Sequence, residues 1–202
     1  MAKARYSHIA AEHHVARRCG YQVVERDKKT NQMVGLYPAA MRLRDNMGKT
    51  YLSTNWFEHC VGSKIERLKV IAVIHRARAK SSLSPQSGIA LLNADRVRGI
   101  GRDHGHNLAV RHTPNRDDPS YSRISGLPLD NSDELFIASL ADEAYLDFTL
   151  LSEIDATPVA ETKVIRISEE YRAGLRDVAR SGSPAPRSTS LSRSRRRTTT
   201  RS

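Results

Sequence analysis

The sequence predicts an α/β domain with a mostly parallel sheet covered by helices. Three observations point that way. Segments with strand-like and helix-like patterning alternate along the chain, the usual order of strand–helix–strand units. The stretch GIALLNA (88–94) is apolar nearly throughout, as a strand buried on both faces is. No internal repeat suggests a solenoid or an array.

The elements follow in order. YQVVER (21–26) reads as the first strand, and LYPAAMRLR (36–44) is ambiguous. TNWFEHC (54–60) has the look of a short helix ended near Gly62, with Trp56 and Phe57 as core anchors beside Tyr51. SKIERLKVIAVIHRARAK (63–80) is the strongest helix: Ser63 and Glu66 make a capping box, and Ile65, Leu68, Ile71 and Ile74 share a face. His75 then sits at that helix's boundary between apolar and polar faces. The strand 88–94 follows, then a short helix at 95–100 and a strand at NLAVRH (107–112). NSDELFIASLADEAY (131–145) is an acidic helix capped by Asn131 or Ser132, and YLDFTLL (145–151) is ambiguous. KVIRI (163–167) reads as a last strand and SEEYRAGLRDVARSG (168–182) as a last helix, stopped by Gly182. Near the N-terminus, Glu12–His14 falls on an expected helix, where neighbouring histidines point about 100° apart.

Composition divides the 202 residues into a globular domain at 1–181 and a tail at 182–202. The tail carries six arginines, no acid and one leucine. It lacks the apolar surface to offset the entropy of ordering, so it is expected to be disordered. No run approaches the roughly 18–20 apolar residues of a membrane helix, and the N-terminus has charges where a signal peptide needs apolar residues. The two cysteines, Cys19 and Cys60, show no metal spacing, which favours a reduced, cytoplasmic protein.

Charge is uneven. Residues 1–100 hold 18 Lys and Arg against 7 Asp and Glu, whereas residues 101–180 hold 9 against 15. Basic ends around an acidic middle suit binding to a polyanion, to an acidic protein, or to a second copy of the chain. The candidate contacts are Lys64, Arg67, Lys69, Arg76 and Arg78 on the 63–80 helix, and Arg193, Arg195, Arg196 and Arg197 in the tail. Arg17, Arg18 and Arg42 lie among the other basic residues. Aromatics are 5% of the chain, so phosphate contacts are expected to outweigh base stacking.

The densest polar stretch is GRDHGHNLAVRHTPNRDDPSYSRISGLP (101–128). If extended, it presents His104 and His106 in one direction with Asp103 adjacent, an arrangement that suits a transition metal. Gly105 and Asn107 instead favour a turn, and His112 lies about 20 Å from His106 along a strand. The turn is the simpler reading, so no metal or other cofactor is expected. Residues 112–128 form a long loop with three prolines, in which Arg116, Arg123 and Tyr121 could hold an anionic ligand. No phosphate-loop, dinucleotide-binding, zinc-protease or nucleophile-elbow motif is present. The leading expectation is a protein that binds a polyanion, nucleic acid first. The alternatives are a small metal-dependent hydrolase or nuclease using Asp103, His104 and His106 with the 112–128 loop, and a protein–protein interaction module.

Overall fold

The computed structural model describes residues 7–43, 50–79, 82–115, 117–129 and 132–158. The expected strand at 163–167, helix at 168–182 and tail at 182–202 lie outside the described residues.

The chain runs β1(Ser7–His8), β2(His14–Cys19), β3(Val24–Arg26), β4(Met33–Leu36), β5(Tyr51–Trp56), α1(Lys64–Arg78), β6(Gly88–Asn93), α2(Ala94–Asp103), β7(Ala109–His112), β8(Tyr121–Ser125), α3(Glu134–Leu146), β9(Phe148–Leu150) and α4(Leu151–Ala156). Seven strands form one sheet in the order β1-β7-β8-β5-β2-β6-β9, and β3 and β4 form a separate two-stranded ribbon. Every pairing is antiparallel.

The mostly parallel sheet expected from the alternating pattern is therefore wrong. That pattern leaves out β2, β5 and β8, and it makes neighbours of strands that these three separate. β2 begins at His14, the end of the stretch Glu12–His14 expected to be helical, β5 covers part of the expected 54–60 helix, and β8 lies in the second half of the expected 112–128 loop. β6 is apolar as expected, but its neighbours β2 and β9 both run against it.

Helices cover both faces of the sheet. On one face, Val15, Leu52, Leu92, Val110 and Ile124 pack with Val97 of α2 and Phe136, Ile137 and Leu140 of α3. On the other, Ala16, Ile89 and Leu91 meet Leu68, Ile71 and Ala72 of α1 and Leu151 and Ile154 of α4. Two-sided burial explains the unbroken apolar run of β6 in an antiparallel setting.

Local signals place α1, α2 and α3. In the α1 capping box, the Ser63 amide donates to Glu66 Oε2 at 2.7 Å and the Ser63 hydroxyl does so at 3.0 Å. Asn93 ends β6 and caps α2, its side chain accepting from the Asp95 and Arg96 amides at 3.0 and 3.1 Å. Asp133, rather than Asn131 or Ser132, caps α3 by accepting from the Phe136 amide at 2.9 Å.

Gly126 makes the exit from β8 at φ +91°, where a Cβ would stand 2.2 Å from the Asn107 carbonyl oxygen. Gly126→Ala is expected to destabilise the fold by about 1–3 kcal/mol from backbone strain alone. Urea denaturation of the variant checks it, and an unchanged midpoint contradicts this account of the turn.

Candidate anion-binding site

β2 carries the sequence HVARRC, with two arginines where a buried strand usually has apolar residues. Its pairing with β6 covers all six residues, but its pairing with β5 registers only Val15 with Trp56 and Ala16 with Asn55. Beyond that point β5 stays bonded to β8, and Arg17 spans the opening. Its Nη1 donates to the Ser53 carbonyl at 2.9 Å, and its Nε and Nη2 donate to the Ala40 carbonyl at 3.4 and 3.3 Å.

A cavity of about 460 Å³ lies at this opening. β2 contributes Arg17 and Arg18, α1 contributes His75 and Arg78, and Arg42 closes another side. The remaining wall is Tyr51, Leu52 and Ser53 of β5, Tyr121 of β8, and Asn115. Four guanidiniums thus meet around one cavity.

The wall is braced from behind. Asp118 is fully buried and pairs with Arg78 at 2.8 Å. It also accepts from Asn55 Nδ2 at 2.7 Å and from the Ser120 hydroxyl at 2.7 Å. Tyr121 and Ser53 share a hydrogen bond of 2.9 Å between their hydroxyls, and burial pushes the Tyr121 phenol up. The Arg123 guanidinium lies 4.6 Å from the Tyr51 ring centre, a cation–π contact. Arg42 reaches out to Glu134 at 2.8 Å.

Two polar nitrogens on this wall, His75 Nε2 and Arg42 Nε, are buried and have no hydrogen-bond partner among the described residues. Buried donors and acceptors are ordinarily satisfied, but these two atoms lie behind the cavity surface, as His13 Nδ1 and Trp56 Nε1 do elsewhere, so the guanidiniums are what a ligand would meet. The field is positive enough to register on His75. Burial first, then the charges of Arg18, Arg78 and Arg17, hold its pKa down at about 3. The imidazole is therefore neutral at physiological pH.

The expected basic face of α1 is largely engaged by neighbours. Lys64 pairs with Asp147 at 2.6 Å and Arg76 with Asp155 at 2.6 Å. Arg67 donates to the Gly62 carbonyl at 2.8 Å and lies over the Phe57 ring, while Lys69 is half-buried on the same helix. Of these five residues, only Arg78 lines the cavity. Tyr121 also lines it, and Arg123 supports it through Tyr51. Arg116 and the tail arginines Arg193, Arg195, Arg196 and Arg197 lie outside the described residues.

The 103–106 stretch forms a turn at the end of α2, with Gly105 at φ +75°. His104 bonds Ser139 at 3.2 Å and His106 bonds Asp133 at 2.9 Å, so α3 engages each imidazole separately. Both rings also touch Phe136, and Asp103 is exposed. The His106 bond, after the stronger bond from the Phe136 amide, lowers the Asp133 pKa. Among the described residues no group of three His, Cys, Asp or Glu side chains is placed to hold a metal ion.

In the sequence alone, Arg17, Arg18 and Arg42 stand out only as members of a basic population. His75 reads there as a boundary residue, and Asp118 as part of a surface turn. The one local signal for the site is Arg17-Arg18 between apolar residues on both sides.

No family model matches the chain, and neither a curated protein nor a solved structure is detectably similar to it.

Proposed function

We propose that this protein binds a polyanion, nucleic acid being the first candidate, and that the cavity between β2, β5 and α1 holds one of its phosphates. The observation that carries this reading is the meeting of four guanidiniums around a single cavity whose described lining holds no carboxylate. Arginine suits the task because its planar fork gives two parallel hydrogen bonds to phosphate. The positive balance of the whole chain, +11, would steer a polyanion toward the site. The arginine-rich tail would add non-specific contacts. His104 and His106, on which the hydrolase alternative rests, bond separately to Ser139 and Asp133.

The same reading sets the protein in the cytoplasm, where Cys19 and Cys60 stay reduced. Both are buried, and burial raises their thiols to about 11 and about 12, so neither is a reactive thiolate. Among the described residues no helix is long and apolar enough to cross a membrane.

Fluorescence anisotropy of the full chain with a labelled single-stranded oligonucleotide, repeated across a salt series, tests the proposal. Affinity should fall steeply with salt. Removing residues 183–202 should make the slope shallower by about 0.7 for each phosphate that the tail had neutralised. Binding that ignores salt, or no binding at low salt, defeats it.

A further inference from the structure

We propose that the cavity accepts a terminal phosphate monoester, carried by a strand end or a free nucleotide, in preference to the internal diesters of a strand. This deepens the nucleic-acid reading and rests on it.

Charge is the first argument. Among the described residues, the cavity lining holds the guanidiniums of Arg17, Arg18, Arg42 and Arg78 and no carboxylate. Asp118 and Glu134 pair with Arg78 and Arg42 but do not line the space. His75 contributes no charge at neutral pH. An internal diester brings one negative charge to such a lining, while a monoester brings about 1.5–2 at pH 7. The more highly charged group gains more from it.

Shape is the second. A volume of about 460 Å³ is that of a site for one small molecule. Proteins that track a strand use grooves spanning roughly 4–16 nucleotides. A chain end, or a single nucleotide, fits the smaller space.

The donors are the third. A monoester presents three terminal oxygens, one more than a diester. The wall offers the guanidinium groups of Arg17, Arg18, Arg42 and Arg78, with the Ser53 and Tyr121 hydroxyls beside them. It has little to read a base with. Leu52 is the one aliphatic side chain lining the cavity among the described residues, and one face of the Tyr51 ring is already covered by Arg123. Recognition should therefore be centred on phosphate and tolerant of the base.

The test is calorimetry and competition at fixed salt, in buffers without phosphate. The ligands are one short oligonucleotide with a 5′-phosphate, a 3′-phosphate or hydroxyl ends, together with AMP, UMP and inorganic phosphate. At least one phosphorylated end should bind about tenfold more tightly than the hydroxyl-ended strand, the effect of one charge-assisted hydrogen bond. AMP and UMP should compete about equally. If they compete no better than inorganic phosphate, the site takes the phosphate group alone, and a strand end remains its natural source. Arg18→Gln should abolish the preference for the phosphorylated end and weaken hydroxyl-ended binding to a smaller extent. Tyr121→Phe, a milder change on the same wall, should reduce that preference if Arg18→Gln fails to fold. Equal, salt-sensitive binding of all three strands overturns this inference and leaves the nucleic-acid reading standing. Stoichiometric AMP binding with no strand binding overturns the nucleic-acid reading and, with it, the strand end as the source of the phosphate.

Discussion

Asp118→Ala is expected to lower the stability of the protein by about 3 kcal/mol or somewhat more. Removing one member of a buried ion pair typically costs about 3–5 kcal/mol, because the partner is left uncompensated. Asp118 is fully buried and serves three partners, Arg78, Asn55 and Ser120. The lower end applies here because the Arg78 side chain keeps 34% exposure and part of its charge would rehydrate. Asn55 and Ser120 would not, since both are buried. Their mutual hydrogen bond of 2.7 Å satisfies only part of what they lose. Asp118→Asn keeps the volume and some of the bonds, so it should cost less. Urea denaturation of both variants checks the order. A loss below about 1 kcal/mol for the alanine variant would falsify the view that this carboxylate braces the cavity wall. The same variant should weaken anion binding, because Arg78 would no longer be held against the wall.

The second large effect is expected from pH. His75 has a folded pKa near 3 against an ordinary value of 6.5. Below about pH 6.5 the unfolded chain takes up a proton that the folded chain refuses. The folded state is therefore most stable above that pH and loses about 1.4 kcal/mol per pH unit as pH falls toward 3. Burial is the main cause, and the groups that face the ring act in the same direction: Arg18 and Arg17 come from β2 and Arg78 from one turn further along α1, all cationic. His59 adds in the same direction, since burial and then His112 lower its pKa, although Asp118 opposes them. The window from pH 6.5 to 5 isolates the histidines, because most carboxylates still carry their charge there. Denaturation curves at pH 7.5 and 5.5, in buffers without phosphate, should differ by about 1.4 kcal/mol or more. His75→Gln should remove most of that difference. A wild-type protein equally stable at the two values contradicts a neutral, buried His75.

Legibility in the sequence differs from element to element. The expected 63–80 helix forms over Lys64–Arg78, and the expected 131–145 helix over Glu134–Leu146. Both are marked by local chemistry, a capping box in one and a polar cap followed by acidic residues in the other. Gly88–Asn93 is marked by its uninterrupted apolar run. The strands without such a mark, His14–Cys19, Tyr51–Trp56 and Tyr121–Ser125, are those that frame the cavity. Their polar positions include Arg17 and Arg18 at the cavity and the buried Thr54, Asn55 and Ser122 behind it, so the alternation that marks a half-buried strand is broken. The residues at and behind the site are the ones that conceal the strands.

The helices Lys64–Arg78, Ala94–Asp103 and Glu134–Leu146, the apolar strand Gly88–Asn93, the uneven charge and the turn at 103–106 are readable from the chain alone, because each depends on residues within a few positions of one another. Capping, amphipathic spacing and Gly105 in a left-handed turn act over such distances. The antiparallel sheet is a tertiary outcome. Strand order depends on which distant segments pair, and β2 bonds to strands some 40 and 75 residues away. Tertiary packing likewise places Arg17, Arg42, Arg78 and Tyr121 around one cavity. A count of basic residues says that cations are plentiful. Which of them lie against a carboxylate and which face a common space depends on packing that no local pattern encodes. Lys64 and Arg76 meet acids across α1, while Arg17 and Arg18 turn inward where two strands part.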